Sequence, residues 1–279
     1  MPECHVATCI YKADDDMVEM LCVYAYSATK NMNCKVFVYC DGLTEKQKQR
    51  VSQFSDDVFF VPVKLEHEKK DHMPAMKVPL WDQIVNDPIH DGKHLILSDF
   101  DMLFLRDPNV FWLMEGASVD LAFTPKDNQS EKFRLNTGIM FIRGTWAVRR
   151  LFKDWHKTVL MISQSKEHSD QAVKQHGSID QASFAKYLDP SDFFKEVKRL
   201  DCRLKGVPSS RYNLHKDWGN ISEYCSVIHF KSGWPKILLS GDDFETGLKV
   251  SGWDKLEESK EWEPSYKLWR ECYNEMILN

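Results

Sequence analysis

Two aspartates, Asp99 and Asp101, stand one residue apart at the end of an apolar run, in the segment LSDFDMLFL (residues 97–105). Side chains alternate between the two faces of a strand, so in an extended chain both carboxylates lie on the same side. Neighbouring carboxylates repel each other and are costly to remove from water. The pair therefore requires a divalent metal, a shared proton or exposure to solvent.

A divalent metal is the compensation that the surroundings of the pair favour, because apolar residues both precede and follow it. Carboxylate oxygens are ligands that Mg²⁺ and Mn²⁺ prefer, and phosphate oxygens complete such sites. Two enzyme classes use a pair of this kind. In a nucleotide-sugar glycosyltransferase the metal bridges the donor diphosphate and helps it leave. In a phosphatase of the haloacid dehalogenase type, Asp99 would be the nucleophile and Asp101 the acid/base.

The phosphatase alternative rests on the similarity of LSDFDMLFL to the first motif of that family. Several apparent βα units precede the aspartates, whereas that family usually opens with the motif, and Leu103 stands where the motif prefers Thr or Val. Other residues that this alternative would recruit are Thr124, Lys236, Asp242 and Asp243.

Apolar runs that alternate with amphipathic segments predict the elements that position the pair. Strands are predicted at 5–11, 35–42, 57–63 and 94–105, and helices at 14–31, 44–55 and 76–87. Thr44 and Gln47 predict a capping box for the second helix, and Pro79 is expected in the first turn of the third. This order predicts an α/β fold, with parallel strands covered by helices on both faces. Ligands bind beyond the carboxyl ends of such strands, where the aspartates lie.

The second half of the chain is less regular, and it shows no internal repeat or clear linker. It predicts strands at 119–125, 135–144 and 226–233, and helices at 145–163, 178–188 and in the tail. The polar stretches 64–73 and 164–177 are candidates for acceptor contact or a lid, or are ordinary surface loops. We therefore expect one mixed α/β domain over 1–279, with a nucleotide-binding half (1–105), an acceptor and catalytic half (106–240) and a C-terminal helical tail (241–279).

Composition narrows the classes of protein. The chain has 279 residues, of which 43% are hydrophobic, as is ordinary for a globular enzyme. Its net charge of -5 argues against a general nucleic-acid binder, which usually has a basic surface. Eight scattered cysteines indicate reduced thiols, and the N-terminus does not resemble a signal peptide, so a cytoplasmic location is expected. No run reaches the roughly 18 apolar residues of a membrane span, which leaves peripheral membrane contact open.

Six short motifs in order resemble the glycogenin-like family 8 of retaining glycosyltransferases and the related family 77, both with the Rossmann-like GT-A fold. Most of residues 5 to 240 take part in this resemblance. The motifs are VATCIY, MKVPLW, LSDFDMLFLRDP, LNTGIMFIRG, SIDQASF and VIHFKSGWPK. In the last motif three residues separate His229 from Gly233, where the family usually has two.

The resemblance implies roles for individual residues. Asp99, Asp101 and His229 would hold Mn²⁺ or Mg²⁺. Asn136 and Gln181 would face the sugar. The residues expected to bind the donor are Ala7, Thr8, Tyr11, Lys77, Asp99, Gly233 and Lys236.

Asp180 is the candidate nucleophile if the reaction passes through a covalent intermediate. In a front-face route the leaving phosphate would accept the proton of the acceptor, with Gln181 or Asn136 stabilising the transition state. Structural alternatives exist for each residue. Gln181 forms a potential capping box with Ser178, and Asp180 suits the first turn of a helix. Asn136 can begin a turn whose Gly138 allows close approach.

The sequence therefore predicts a metal-dependent glycosyltransferase that acts, with retention, on a nucleotide-sugar donor and a carbohydrate or glycoconjugate acceptor. A UDP-sugar is favoured because UDP predominates in the resembled family. The alternatives are the phosphatase and a protein that binds nucleotide sugars without turnover.

Overall fold

The structure is a computed structural model of the chain. It describes residues 3–64, 73–125, 135–188, 196–215, 221, 223–230, 234–240, 243–251 and 260–278.

Eleven strands in the described residues form two sheets. In chain order they are β1 (Cys4–Tyr11), β2 (Lys35–Asp41), β3 (Val58–Pro62), β4 (His94–Ser98), β5 (Met102–Phe104), β6 (Leu121–Pro125), β7 (Leu135–Arg143), β8 (Val197–Arg199), β9 (Cys202–Gly206), β10 (Leu214–His215) and β11 (Val227–His229). The larger sheet has eight strands in the order β3-β2-β1-β4-β7-β6-β9-β8. The smaller has the order β10-β11-β5.

The first four strands of the larger sheet, β3-β2-β1-β4, are all parallel, as the sequence predicts. Beyond them, β7 runs antiparallel to both β4 and β6, while β6 and β9 are parallel. The sequence did not predict the paired strands β8 and β9. Both strands are short and each carries two charged residues, Lys198 and Arg199 in β8 and Arg203 and Lys205 in β9, so they lack the apolar run that marks the buried strands.

The prediction of one strand over 94–105 is wrong. β4 ends at Ser98 and belongs to the larger sheet, whereas β5 begins at Met102 and belongs to the smaller. The chain bends between them, at Phe100 and Asp101. Both strands are fully buried, so both require apolar side chains, and hydrophobicity alone does not reveal the change of sheet. The aspartate pair therefore lies at the junction of the two sheets.

The helices follow the predicted order with additions. They are α1 (Asp15–Met32), α2 (Glu45–Ser52), α3 (Met73–Asn86), α4 (Val110–Gly116), α5 (Trp146–Ser163), α6 (Lys166–His176), α7 (Ile179–Ala185), α8 (Ser209–Tyr212), α9 (Trp234–Leu239), α10 (Phe244–Val250) and α11 (Glu263–Leu278). None of these described helices combines the length and hydrophobicity that crossing a membrane requires.

Helix boundaries depend on caps that the sequence reveals in part. The predicted capping box of Thr44 and Gln47 forms at α2. Because α3 begins at Met73, Pro79 lies inside this helix and not in its first turn. The polar stretch 164–177, a possible loop, contains α6, whose first turn is capped by the Ser165 hydroxyl and whose C-cap is Gly177 with φ of 87°.

Two apolar clusters cover the two faces of the larger sheet. Successive side chains of β1 point to opposite faces, so Val6 belongs to one cluster and Ala7 to the other. On the face of Ala7, α3 and α5 pack through Trp81 and Trp155, whose ring centroids are 6.0 Å apart. On the opposite face lie α1, α11 and the smaller sheet. The sheet edge that carries the aspartates is thus held from both sides.

A buried polar network lies near the amino end of β1. The Tyr39 hydroxyl donates to Asp87 Oδ2 at 2.7 Å and lies 3.1 Å from His90 Nε2. The hydroxyl therefore accepts from His90 Nε2–H, which leaves His90 Nδ1 to accept from His5 Nδ1–H at 2.9 Å. Burial, together with the neighbouring His5 ring, lowers the pKa of His90 to about 4, while Asp87 and Asp91 act in the opposite direction.

We predict that stability falls as the pH drops from 6.5 towards 4. In this window the unfolded chain protonates His90 and the folded chain does not, because the folded pKa of about 4 lies below the ordinary 6.5. The loss of unfolding free energy attributable to His90 is on the order of 3 kcal/mol when complete. Urea unfolding at several pH values measures it. The His90→Gln variant should show a shallower dependence, and an equal slope in both proteins would contradict the assignment.

Candidate active site

Main-chain hydrogen bonds fix the aspartate pair at the junction of the two sheets. The Asp99 N–H donates to the carbonyl of Gly138 in β7 at 2.8 Å. The Asp101 carbonyl accepts from the N–H of Phe230, directly after β11, also at 2.8 Å. One aspartate is therefore tied to the larger sheet and the other to the smaller.

The pairing of β11 with β5 places His229 opposite Met102 and brings its ring to the pair. His229 Nε2 lies 3.2 Å from Asp101 Oδ1 and 3.7 Å from Asp99 Oδ2. One ligand atom from each of these three residues lies within 4.8 Å of the other two. Two carboxylates and an imidazole nitrogen form a donor set that fits a divalent metal.

Lys77 in α3 supplies positive charge beside the pair. Its Nζ lies 2.8 Å from Asp99 Oδ1 and 3.7 Å from Asp180 Oδ2, and 4.2 Å from the centroid of the Trp81 ring. Burial opposes the charge on Lys77, but Asp99 and Asp180 outweigh it and raise the pKa of its ammonium group. Burial disfavours the charged form of Asp99 as well and so raises the pKa of its carboxyl. Lys77 opposes this effect and Asp101 reinforces it.

Asp180 occupies the first turn of α7 and is only 3% exposed. Its Oδ2 accepts a hydrogen bond from the Thr137 hydroxyl. Its Oδ1 is buried and has no hydrogen-bond partner among the described residues. A buried carboxylate oxygen without a donor is costly, and the position of Asp180 in the first turn of a helix does not account for that cost.

Gln181 does not form the capping box that its spacing from Ser178 allows. Ser178 makes no side-chain hydrogen bond to the helix. In the amide orientation that satisfies the local network, the Gln181 nitrogen donates to the carbonyls of Leu135 at 2.6 Å and His176 at 2.9 Å. Both N–H groups of Gln181 are thereby held by main-chain acceptors.

Gly138 is required because the His229 ring lies against it. A Cβ at position 138 would stand 2.3 Å from His229 Cε1 and 2.7 Å from Nδ1. The Gly138 N–H is also held, since it donates to Asn136 Oδ1 at 2.9 Å. The close approach expected at this glycine is therefore present, and the group that approaches is the imidazole of His229.

Asn213 is a residue of the site that the sequence did not reveal. Its side chain is fully buried and lies between the Thr124 hydroxyl, at 2.7 Å, and His229 Nδ1, at 3.1 Å. It directly follows the short helix α8, in a stretch without any recognisable motif, so no local signal marks it.

The other predicted donor-binding residues are not brought to the cluster by any described contact. Ala7 and Thr8 are fully buried within β1. Tyr11, at the end of that strand, is half-buried, with Lys12 Nζ 4.9 Å from its ring centroid. Gly233 and the side chain of Lys236 lie outside the described residues.

Two of the residues that the phosphatase alternative would recruit, Thr124 and Asp243, make structural hydrogen bonds. The Thr124 hydroxyl donates to the Asn136 carbonyl at 3.2 Å. Asp243 caps α10 by accepting from the Thr246 N–H at 2.8 Å. Asp242 lies outside the described residues.

Comparisons with known proteins agree with a sugar-transfer site. A family model described as nucleotide-diphospho-sugar transferase matches residues 40–220. Fold and site define a glycosyltransferase of the GT-A class. The chain belongs to the nucleotide-diphospho-sugar transferase family, because the match covers more than half of its residues. This assignment supports the sugar-transfer hypothesis over the phosphatase. A comparison with curated proteins gave no significant match.

Solved glycosyltransferases share the fold at low sequence identity. The galactosyltransferase LgtC, solved with donor and acceptor sugar analogs, is 12% identical, with a TM-score of 0.51 over 89% of this chain and 95% of that one. GlyE from Streptococcus pneumoniae TIGR4 is 10% identical, with a TM-score of 0.57 over 100% of this chain and 64% of that one. A glycosyltransferase involved in glycosylation of the PBCV-1 major capsid is 7% identical, with a TM-score of 0.52 over 82% and 93%.

Replacing Gly138 with alanine should disable the cluster. The added methyl group would push the His229 ring away from the aspartates, and overpacking of this kind costs about 1–3 kcal/mol of stability. We expect a lower melting temperature and at least about tenfold weaker Mn²⁺ binding, as for other changes that disturb ligand orientation. Calorimetric titration with Mn²⁺ measures the second effect.

Gly116→Ala is the matched control, because a Cβ at position 116 would meet nothing within 4 Å. This variant should bind Mn²⁺ as the parent does. Equal affinity in the two alanine variants would show that the His229 ring does not need the space above Gly138.

Proposed function

We propose that the protein is a metal-dependent glycosyltransferase that moves a sugar from a nucleoside diphosphate donor to a carbohydrate or glycoconjugate acceptor, with retention of the anomeric configuration. A UDP-sugar is the favoured donor. The observation that carries the proposal is the convergence of Asp99, Asp101 and His229 beyond the carboxyl end of β4, in a chain of this family.

Asp99, Asp101 and His229 would hold Mn²⁺ or Mg²⁺, since both metals accept carboxylate ligands and leave coordination positions for phosphate oxygens. A divalent ion there supplies positive charge that stabilises the departing nucleoside diphosphate. Lys77 adds a fixed charge to the same region and would offset part of the charge of the diphosphate.

Asp180 would face the sugar, because its buried Oδ1 accepts no hydrogen bond from the described residues. A sugar hydroxyl would satisfy this oxygen. Alternatively, the carboxylate would attack the anomeric carbon as its bond to the donor phosphate breaks, and the acceptor oxygen would then displace the carboxylate from that carbon and lose its proton to the departed phosphate. In both cases Lys77 Nζ, 3.7 Å from Asp180 Oδ2, places a positive charge beside the carboxylate.

A front-face reaction would use the same residues differently. The bond between the anomeric carbon and the leaving phosphate breaks, the acceptor oxygen bonds to that carbon, and its proton passes to the phosphate. Because both N–H groups of Gln181 are held by main-chain carbonyls, its amide oxygen is the end that would face the positively charged transition state. Asn136 would hold the strand beside it through the Gly138 N–H.

The remaining donor contacts are proposed from the resemblance to the family. Ala7, Thr8 and Tyr11 would lie near the base and ribose, and Gly233 and Lys236 near the diphosphate. The division into a donor half over 1–105, an acceptor half over 106–240 and a tail is proposed on the same basis.

A thermal-shift screen of UDP- and GDP-sugars, with and without Mn²⁺, tests the proposal. We expect stabilisation that requires both nucleotide and metal, on the order of 3 kcal/mol at a ligand concentration one hundred times Kd. Asp101→Asn should abolish it, whereas Asp16→Asn, on the exposed first turn of α1, should not. Indifference to every nucleotide, together with release of phosphate from simple esters, would favour the phosphatase.

The Asp180→Asn variant tests the sugar contact once a product is known. The amide keeps an acceptor for Thr137 but loses the charge, so kcat should fall more than about tenfold, or about 1.4 kcal/mol of barrier. Asp154→Asn is matched, because Asp154 also accepts from a hydroxyl, that of Tyr187, and pairs with Lys186, but on the surface. Equal kcat values in the two variants would show that Asp180 takes no part in the reaction. The anomeric configuration of the product, determined by NMR, tests whether the reaction proceeds with retention.

A further inference from the structure

A buried chain of hydrogen bonds runs from β7 to the metal-binding histidine. The Thr124 hydroxyl and the Asn136 carbonyl are 3.2 Å apart. Asn213 Nδ2 and Thr124 Oγ1 are 2.7 Å apart, and Asn213 Oδ1 and His229 Nδ1 are 3.1 Å apart. All four residues are at most 3% exposed, so water does not compete for these groups.

The direction of the chain is set at its far end. A main-chain carbonyl can only accept, so the Thr124 hydroxyl must donate to Asn136. The hydroxyl oxygen then accepts from the Asn213 amide nitrogen, and this orients the amide with Oδ1 towards His229. Because Oδ1 can only accept, His229 Nδ1 must carry the hydrogen.

The consequence for the neutral ring is that its lone pair is on Nε2. This nitrogen is the one that faces Asp101 at 3.2 Å and Asp99 at 3.7 Å. Without a metal, the opposite tautomer would suit this position better, because an Nε2–H could donate to a carboxylate. The chain of hydrogen bonds therefore favours the tautomer whose Nε2 can bind a metal over the tautomer whose Nε2–H could donate to a carboxylate.

We propose that Asn213 and Thr124 are positioning residues that hold His229 in the Nδ1–H tautomer, with Nε2 ready to bind the metal. This inference rests on the proposed metal-dependent function. A hydrogen bond to the second nitrogen of a ligating histidine typically fixes the tautomer and the ring orientation. The His229 ring occupies the space where a Cβ at position 138 would stand, and its Nδ1 lies 3.1 Å from Asn213 Oδ1.

Two pairs of variants separate the polar role from packing. Asn213→Leu has similar size but no acceptor, so the ring should shift to the Nε2–H tautomer and Mn²⁺ binding should weaken by about 10- to 100-fold. Asn213→Asp keeps an acceptor and should stay within a few-fold of the parent protein. Thr124→Val removes the hydroxyl that orients Asn213 and should weaken binding by less, whereas Thr124→Ser should restore it.

Tautomers are read directly from ¹⁵N–¹H correlation spectra of histidine side chains in the metal-free protein. These spectra distinguish a ring nitrogen that carries hydrogen from one that carries a lone pair. The signals of His229, one of ten histidines, are assigned by their loss in His229→Gln. Mn²⁺ affinity is measured separately from the electron paramagnetic resonance signal of the free ion.

The expected result is an Nδ1–H ring in the parent protein and in Asn213→Asp, and an Nε2–H ring with weak Mn²⁺ binding in Asn213→Leu. An unchanged tautomer and affinity in Asn213→Leu, even with a lower melting temperature, would reduce Asn213 to a structural residue and overturn the inference. If the parent protein itself binds no Mn²⁺, the proposed metal-dependent function fails, while the spectra still decide whether Asn213 sets the tautomer.

Discussion

Electrostatic repulsion between Asp99 and Asp101 is the constraint on which the rest of the site depends. Each carboxylate lies about three-quarters out of solvent, and burial and the neighbouring Asp101 both raise the pKa of Asp99. The fold holds the pair in place by main-chain bonds to two different sheets and sets Lys77 beside it. A divalent ion would complete this balance of charge, which is why the cluster and the family assignment support each other.

Bringing His229 to the pair requires the smaller sheet. His229 is far from the aspartates in sequence, and the antiparallel pairing of β11 with β5 places it opposite Met102. The ring fits only because position 138 has no side chain, and its second nitrogen meets Asn213. Strand β7 thus serves the site through a main-chain carbonyl, an open space and, at Thr137, a hydroxyl to Asp180.

The parallel half of the fold could be predicted because its signals are local. β1 to β4 are apolar runs separated by amphipathic helices, and the capping box at Thr44 marks the start of α2. The change of sheet after Ser98 could not be predicted, because β4 and β5 are both buried and both apolar. The capping box at Ser178 was wrong for a related reason, since main-chain carbonyls from other elements hold Gln181 more effectively.

The sequence by itself determined the chemical groups of the site and the edge of the sheet at which they gather: Asp99 and Asp101 after a buried strand, with His229, Asp180 and Lys77 suggested by ordered motifs. Only the tertiary structure decided the partners of those groups. Asn213 orients His229, Gly138 makes room for it, and Asp180 has one buried oxygen without a hydrogen-bond partner among the described residues. These relations depend on strand register and on hydrogen bonds between residues distant in sequence, for which a single chain carries no local pattern.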